Sequence, residues 1–506
     1  MIAHSDRRYK INGGYGRWSQ PRVVPGGSAR TPRLWISPCG GQRRGAAMGQ
    51  NGGMTSPDPL RVAVIGSGPA GIYAADALTR QSREEVAVDI VDRLPTPYGL
   101  VRYGVAPDHL KIKGVARSLR EVLEKPEVRF IGGVEFGRHI TREGLARAYH
   151  AVVYATGASV DRRMGIPGED LPGSVAATDF VNWYCGHPDS EVESFLLDSE
   201  EVAVVGAGNV ALDVVRILAK SADELHRTDI PQPMLDVLAA SKIRRINLLA
   251  RRGPLQAKFT APELRDLGRL DNAEVLLRPD QVDIDPNSRD MLAAERAART
   301  NLKVLTEWAQ RTPRDLPRRI DLRFWVRPVE ILGGERTEEL RVEETELDDE
   351  GRLHGTGAFD TVEAGMVFRS IGYAGTPLPD VPFDERSRTV PHDEGRVLDA
   401  EGGRRRGDYV AGWIKRGATG VIGTNKSDAS ATVRSLLDDA AELRAAGGAE
   451  GLEPVEDVLK GSGAAVTDYG DWLSIDAAEA ELGAALGRGE RVKLRSWDDM
   501  YGAIGR

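Results

Sequence analysis

Gly66, Gly68 and Gly71 stand in the pattern GxGxxG, and Asp92 follows 21 residues after the last of them. These residue types at this spacing suit a dinucleotide. The first glycine allows a tight turn, the second admits the backbone to a pyrophosphate, and the third lets a helix pack close to a strand. A helix N-terminus at this point offers free N–H groups and a positive dipole end to phosphates. A carboxylate at Asp92 is placed for ribose hydroxyls. The apolar run Val62–Ile65 leads into Gly66, Ile72–Thr79 has a helical pattern, and the apolar run Val86–Val91 ends on Asp92. A bare GxGxxG is weak evidence, but strand, glycine turn, helix, strand and acid in this order make a specific motif.

The pattern then repeats. Glu201–Val205 leads into Gly206-Ala207-Gly208-Asn209-Val210-Ala211, 140 residues after the first turn, with a helical pattern over Leu212–Lys220. Two such units imply two nucleotides. The far end of the second differs. After an intervening segment, 221–241, its next apolar run, Ile243–Ala250, closes on Arg251-Arg252-Gly253 instead of an acid. A carboxylate there would repel a 2′-phosphate, whereas two guanidiniums match one bidentately. The second nucleotide is therefore expected to be NADP(H), with Ala207, Gly208, Asn209 and Val210 at its pyrophosphate.

Strands alternating with helices position these turns. A helix is expected over Ile112–Leu123, a strand over Val128–Gly132 with a turn at Gly133-Val134, and a buried strand over Ala151–Gly157. Strands are expected at Phe324–Val326 and Val329–Leu332. The run Asp360–Gly372 closes on glycine as Ala151–Gly157 does, and these two strand ends read as the crossovers between domains. Residues 408–425 read as a strand, a glycine-punctuated turn and a helix start. Helices are expected over 432–447 and 474–487, the latter with Ser474 or Asp476 near its N-cap. The fold class is α/β, with two Rossmann-like dinucleotide-binding domains on doubly wound parallel sheets.

The 506 residues are 41% hydrophobic and 28% charged, as in a soluble globular chain of two to three domains. No apolar run is long enough for a membrane span. Cys39 and Cys185 are too few for a cluster held by four thiolates, and neither belongs to a CxxC pair. This poverty fits a reducing cytoplasm. Residues 1–58 carry eight Arg and one Lys against two Asp, leaving −15 on the rest of a chain with net charge −8. An acidic body argues against nucleic-acid binding. The basic stretch lacks an apolar signal core and any strand or helix period, so it reads as a disordered tail or a start placed too far upstream of Met48 or Met54.

Four segments resemble the adrenodoxin-reductase-like branch of the NADPH–ferredoxin reductases: Gly66–Gly71, Leu94–His109 (LPTPYGLVRYGVAPDH), Gly206–Asp213 with Ala250–Leu255, and Gly412–Lys426 (GWIKRGATGVIGTNK). The resemblance spans roughly residues 60–506. It implies FAD in a discontinuous domain of residues 60–160 and 376–506, with an NADP(H) domain, 161–375, inserted between. By position, FAD falls to Gly66, Gly68, Gly71, Asp92, Leu100, Val134, Trp413, Gly420, Val421 and Ile422. NADP(H) falls to Ala207–Val210, Arg251, Arg252 and Glu263, with Gly420 near the nicotinamide and Arg162 a further candidate. Glu263 is expected to orient the two arginines. His109 is implied to lie near the flavin, with Asp266 as its proton-transfer partner. Two departures stand out: Asp92 replaces the family's usual Glu, and Ala418 replaces its usual Pro, so a looser flavin loop is expected.

The implied activity passes electrons from NADPH through FAD to a one-electron iron–sulfur protein, a ferredoxin, with no metal required. Lys111, Lys113, Arg314, Arg318 and Arg319 are basic candidates for docking it. A flavin subunit related to the small subunit of glutamate synthase is an alternative, although such subunits carry cysteine-bound clusters. A non-catalytic dinucleotide redox sensor is the alternative from another class.

Overall fold

A computed structural model describes residues 58–446 and 451–506. The basic N-terminal stretch, apart from Asp58, lies outside the described residues. The strands run in chain order as β1 (Leu60–Ile65), β2 (Val86–Val91), β3 (Val128–Ile131), β4 (Ala151–Tyr154), β5 (Val160–Asp161), β6 (Ser174–Ala176), β7 (Glu201–Val205), β8 (Arg245–Leu249) and β9 (Ala273–Leu276). They continue as β10 (Arg318–Arg323), β11 (Val326–Leu332), β12 (Glu339–Leu347), β13 (Leu353–Glu363), β14 (Met366–Arg369), β15 (Tyr373–Ala374), β16 (His392–Asp393), β17 (Arg396–Leu398) and β18 (Arg404–Val410).

Two parallel-cored sheets dominate. The first has the order β16-β17-β18-β4-β1-β2-β3, and the second β6-β14-β7-β8-β10-β9. The chain thus builds β1–β4, leaves to make the second sheet, and returns to complete the first. Apart from Arg61 and Glu201, central strands β1 and β7 are apolar because both their faces are covered, β1 between helices and β7 between helices on one face and the strands β11–β13 on the other, the pattern of buried parallel strands. The outgoing and returning segments, β5 and β15, pair antiparallel as a two-stranded ribbon.

The two glycine turns are built alike. Gly66 has φ +109°, and a Cβ there would lie 2.6 Å from the Ala155 carbonyl at the end of β4. Gly206 has φ +148°, and its Cβ would lie 2.1 Å from the Ser370 carbonyl at the end of β14. Each turn therefore passes under the end of the neighbouring strand, where only glycine fits.

Several boundaries differ from expectation. The helix expected over Ile112–Leu123 is instead two, Leu110–Lys113 and Ala116–Leu123. The helix expected over 432–447 begins earlier, at Thr424, and gives way at Asp438 to a second helix, Ala440–Ala446. The helix expected over 474–487 is Tyr469–Ala485, capped by Asp468, whose side chain accepts from Asp471 N while Asp471 reaches back to Asp468 N. That reciprocal box satisfies two free N–H groups, which neither Ser474 nor Asp476 could do from inside the helix. Strands β11–β13 form a separate antiparallel sheet, β13 being the long exposed strand.

Candidate active site

The first turn gathers the residues expected around it. Gly68 has no atom within 4 Å of a would-be Cβ, so its outer face is an open cradle at the start of the helix Pro69–Arg80. Gly99, which precedes Leu100, presses against Gly68, since a Cβ there would lie 2.9 Å from the Gly68 Cα. Gly412, before Trp413, sits so close to Ala70 that a Cβ would lie 2.5 Å from the Ala70 methyl. Val134 N donates to Asp92 O at 2.9 Å. Asp92 itself is tied to the turn: Oδ2 accepts from Ser67 N (2.7 Å) and Ser67 Oγ (2.6 Å), and Oδ1 from Leu94 N (2.9 Å). An open glycine cradle, free helical N–H groups and an adjacent carboxylate fit an adenine dinucleotide such as FAD.

Gly420, Val421 and Ile422 precede the helix Thr424–Asp438, which packs on Pro69–Arg80. The substitution of Ala418 for proline does not leave this loop untied. The Thr419 carbonyl accepts from Trp413 Nε1 at 3.2 Å and also from Arg416 Nη1, and Gly417 N donates to Trp413 O. Trp413 stacks on Tyr373 of β15, ring centroids 5.6 Å apart.

At the second turn, Gly208 is as open as Gly68. Ala207 O accepts from Lys258 N and Phe259 N, and Asn209 Oδ1 from Thr260 N. Val210 is half-buried against the core beneath. Arg251 and Arg252 leave the end of β8, both exposed, and neither guanidinium has a hydrogen-bonded or carboxylate partner among the described residues. Arg162 is also exposed, and its backbone N–H donates to Gly372 O across the ribbon.

Two expected roles are corrected. Glu263 does not orient Arg251 and Arg252; its Oε2 lies 2.8 Å from His109 Nε2 and 3.5 Å from Arg216 Nη1. Asp266 is not the partner of His109. The helix Ala261–Leu267 buries Glu263, Leu264 and Leu267, while Asp266 faces out and pairs with Arg269 at 3.4 Å.

The partners of His109 come from the helix Asn209–Ala219. Its Nε2 donates to Asp213 Oδ1 at 2.9 Å, and Arg216 Nη2 lies 2.6 Å from the same nitrogen. Arg216 is almost wholly buried and also donates to both oxygens of Asp108 (2.6 and 3.0 Å) and to Asp213 (2.7 Å), while Lys220 reaches Asp108 at 2.9 Å. Three carboxylates thus face three cations. Burial alone pushes the imidazole pKa down, but the hydrogen bonds with Asp213 and Glu263 outweigh it and raise it to about 9. Asp108 is held below the ordinary carboxylate range, because Arg216 and Lys220 outweigh its burial. The ligand atoms of His109, Asp213 and Glu263 lie within 4.8 Å of one another, a cation-binding spacing, but Arg216 already supplies the counter-charge there. Asp213 and Arg216 escaped the sequence reading. Their signal is plain afterwards: they are the only charged residues of a helix that is otherwise apolar after Asn209, three apart and on one face.

The basic docking candidates are mostly engaged. Lys113 Nζ holds both oxygens of Asp229 at 2.5 Å, Arg318 donates to the Lys220 and Ile243 carbonyls, and Arg319 pairs with Asp321. Lys111 and Arg314 keep side chains with no partner among the described residues.

Two glycine-turn sheets, one interrupted by the other, define an oxidoreductase with two dinucleotide sites. The family model described as pyridine nucleotide-disulphide oxidoreductase matches residues 60–249. NADPH-ferredoxin reductase FprA of Mycobacterium leprae is 42% identical over 443 residues, covering 86% of this chain and 96% of that protein. The mitochondrial NADPH:adrenodoxin oxidoreductase of Arabidopsis thaliana is 36% identical, covering 88% and 95%. The solved structure of Mycobacterium tuberculosis FprA in complex with NADPH superposes with a TM-score of 0.83 at 41% identity, covering 88% of this chain and all of that one. The chain belongs to the NADPH–ferredoxin reductase family.

Proposed function

We propose that this protein is an FAD-dependent ferredoxin–NADP+ reductase, oxidising NADPH and delivering electrons to a ferredoxin-type iron–sulfur protein. The observation carrying this reading is the pair of open glycine turns, one followed by Asp92 and the other by two exposed arginines. Relatives named NADPH-ferredoxin reductase match over almost their whole length.

Bound FAD supplies the conversion between two-electron hydride chemistry and one-electron transfer. The chain's own part is binding and orientation. Residues 60–160 with 376–506 would form the FAD domain and 161–375 the NADP(H) domain. Gly66, Gly68 and Gly71 receive the flavin's pyrophosphate, and Asp92 its ribose. Ala207–Val210 receive the pyrophosphate of NADPH, and Arg251 and Arg252 its 2′-phosphate. Gly420, at φ +80°, forms a bend that offers no side chain to obstruct a nicotinamide. His109 gives its Nε2–H to Asp213, and as an imidazolium it would stabilise developing negative charge beside it through its positive charge. The cytoplasm is the proposed compartment, consistent with the buried free thiol of Cys185.

The test is the colour of the purified protein and its cytochrome c reduction by NADPH, with and without candidate ferredoxins. Ferredoxin-dependent stimulation supports the reading. A colourless protein, or one whose colour is untouched by NADPH, contradicts it and favours a sensor.

A further inference from the structure

Three consecutive carbonyls of the dibasic turn are held by residues outside the glycine-turn unit. Ala250 O accepts from Val326 N (3.1 Å), Arg251 O from Thr345 Oγ1 (2.8 Å) and Arg252 O from Trp325 N (3.3 Å). Thr345 N in turn donates to Trp325 O at 2.9 Å, closing the set. The Trp325 indole lies so near Gly253 that a Cβ there would be 2.3 Å from Cζ2.

Both clamping residues are specially shaped for this contact. Trp325 has φ +59°, a left-handed conformation rare for a bulky side chain, which persists only where surrounding contacts enforce it. Thr345 is buried on β12 where the register with β13 shifts between Glu343 and Thr345. Such an irregularity re-aims a side chain, and here the hydroxyl meets the Arg251 carbonyl. Fixing successive carbonyls fixes the backbone, and hence the direction in which each Cα–Cβ bond leaves it. The guanidiniums themselves remain exposed, with no partner among the described residues.

We propose that Trp325 and Thr345 are positioning residues for coenzyme selectivity, and that the β11–β13 sheet aims Arg251 and Arg252 at the 2′-phosphate of NADPH. This rests on the assignment of the two arginines to that phosphate. Prearranged cations lose less freedom when the anion arrives, so the clamp acts on phosphate affinity and not on chemistry at the nicotinamide.

The experiment uses holoenzyme carrying Thr345→Val, Thr345→Ser, Gly253→Ala or Arg251→Gln/Arg252→Gln. Steady-state kinetics with NADPH and NADH are read beside calorimetric titration with adenosine 2′,5′-bisphosphate and with adenosine 5′-monophosphate. Thr345→Val loses one neutral hydrogen bond to the turn, so KM for NADPH and Kd for the bisphosphate rise about 3- to 10-fold. The kcat, the NADH kinetics and monophosphate binding stay within about twofold, because none of them involves the phosphate. Thr345→Ser, which keeps the hydroxyl, retains wild-type values. Gly253→Ala displaces the indole and produces a larger loss of the same kind. Unchanged bisphosphate affinity in Thr345→Val and Gly253→Ala, with loss in the double arginine variant, overturns the clamp alone. Unchanged affinity in the double arginine variant as well overturns the phosphate assignment beneath it. Equal weakening of NADPH and NADH makes the sheet a general scaffold and also overturns the proposal.

Discussion

His109 Nε2 donates to Asp213 Oδ1 across 2.9 Å, joining the stretch that follows the first glycine turn to the helix that opens at the second. Arg216, one helical turn on from Asp213, ties Asp108 to the same helix. The two nucleotide-binding units therefore meet at a buried cluster of charges beside the proposed reaction centre.

The cluster makes stability depend on pH. The His109 pKa rises from 6.5 to about 9 in the folded chain. A raised pKa contributes stability that is fully present below about 6.5 and is lost as pH climbs through about 9. The contribution is on the order of 2–3 kcal/mol. Melting temperature measured from pH 6 to 9.5 should fall for the wild type relative to His109→Asn, most steeply between pH 6.5 and 9. Parallel curves for the two proteins would remove His109 from the pairing.

Arg216→Met should be severely destabilising. It leaves Asp108 and Asp213 buried with fewer counter-charges, and breaking a buried ion network from one side costs about 3–5 kcal/mol. Thermal or urea unfolding of the variant measures this. A loss below about 1 kcal/mol would mean the cluster is hydrated in solution.

Asp92→Ala should weaken flavin retention by about 1–3 kcal/mol. The ribose loses an acceptor, and Ser67 N and Oγ lose the carboxylate that braces the turn. Titration of apoprotein with FAD measures the effect. Because Asp92→Asn keeps a carbonyl acceptor for Ser67, it should lose less.

Much of this was legible in the sequence, for physical reasons. The glycine turns show because buried strands, tight turns and helix starts each restrict residue type locally, and both turns lie where the periodicities place them. Glu263 and Asp266 show the limit. They are three residues apart on one short helix, and only the packing of Leu264 and Leu267 decides which carboxylate turns inward. Lys113 likewise reads as a surface cation until Asp229, 116 residues away, is seen beside it. Contacts distant in the chain leave no local period.

Coenzyme choice tests the central assignment most directly. Arg251 and Arg252 follow the end of β8, where an NAD-selective site would carry a carboxylate, and charge-assisted pairs to phosphate are worth roughly 1.5–3 kcal/mol each. The measurement is kcat/KM for NADPH and NADH in the wild type and in Arg251→Gln/Arg252→Gln. The wild type should prefer NADPH by about 10- to 1000-fold, and the variant should lose that preference through KM, with NADH kinetics nearly unchanged. A double variant that kept its preference for NADPH would contradict the account.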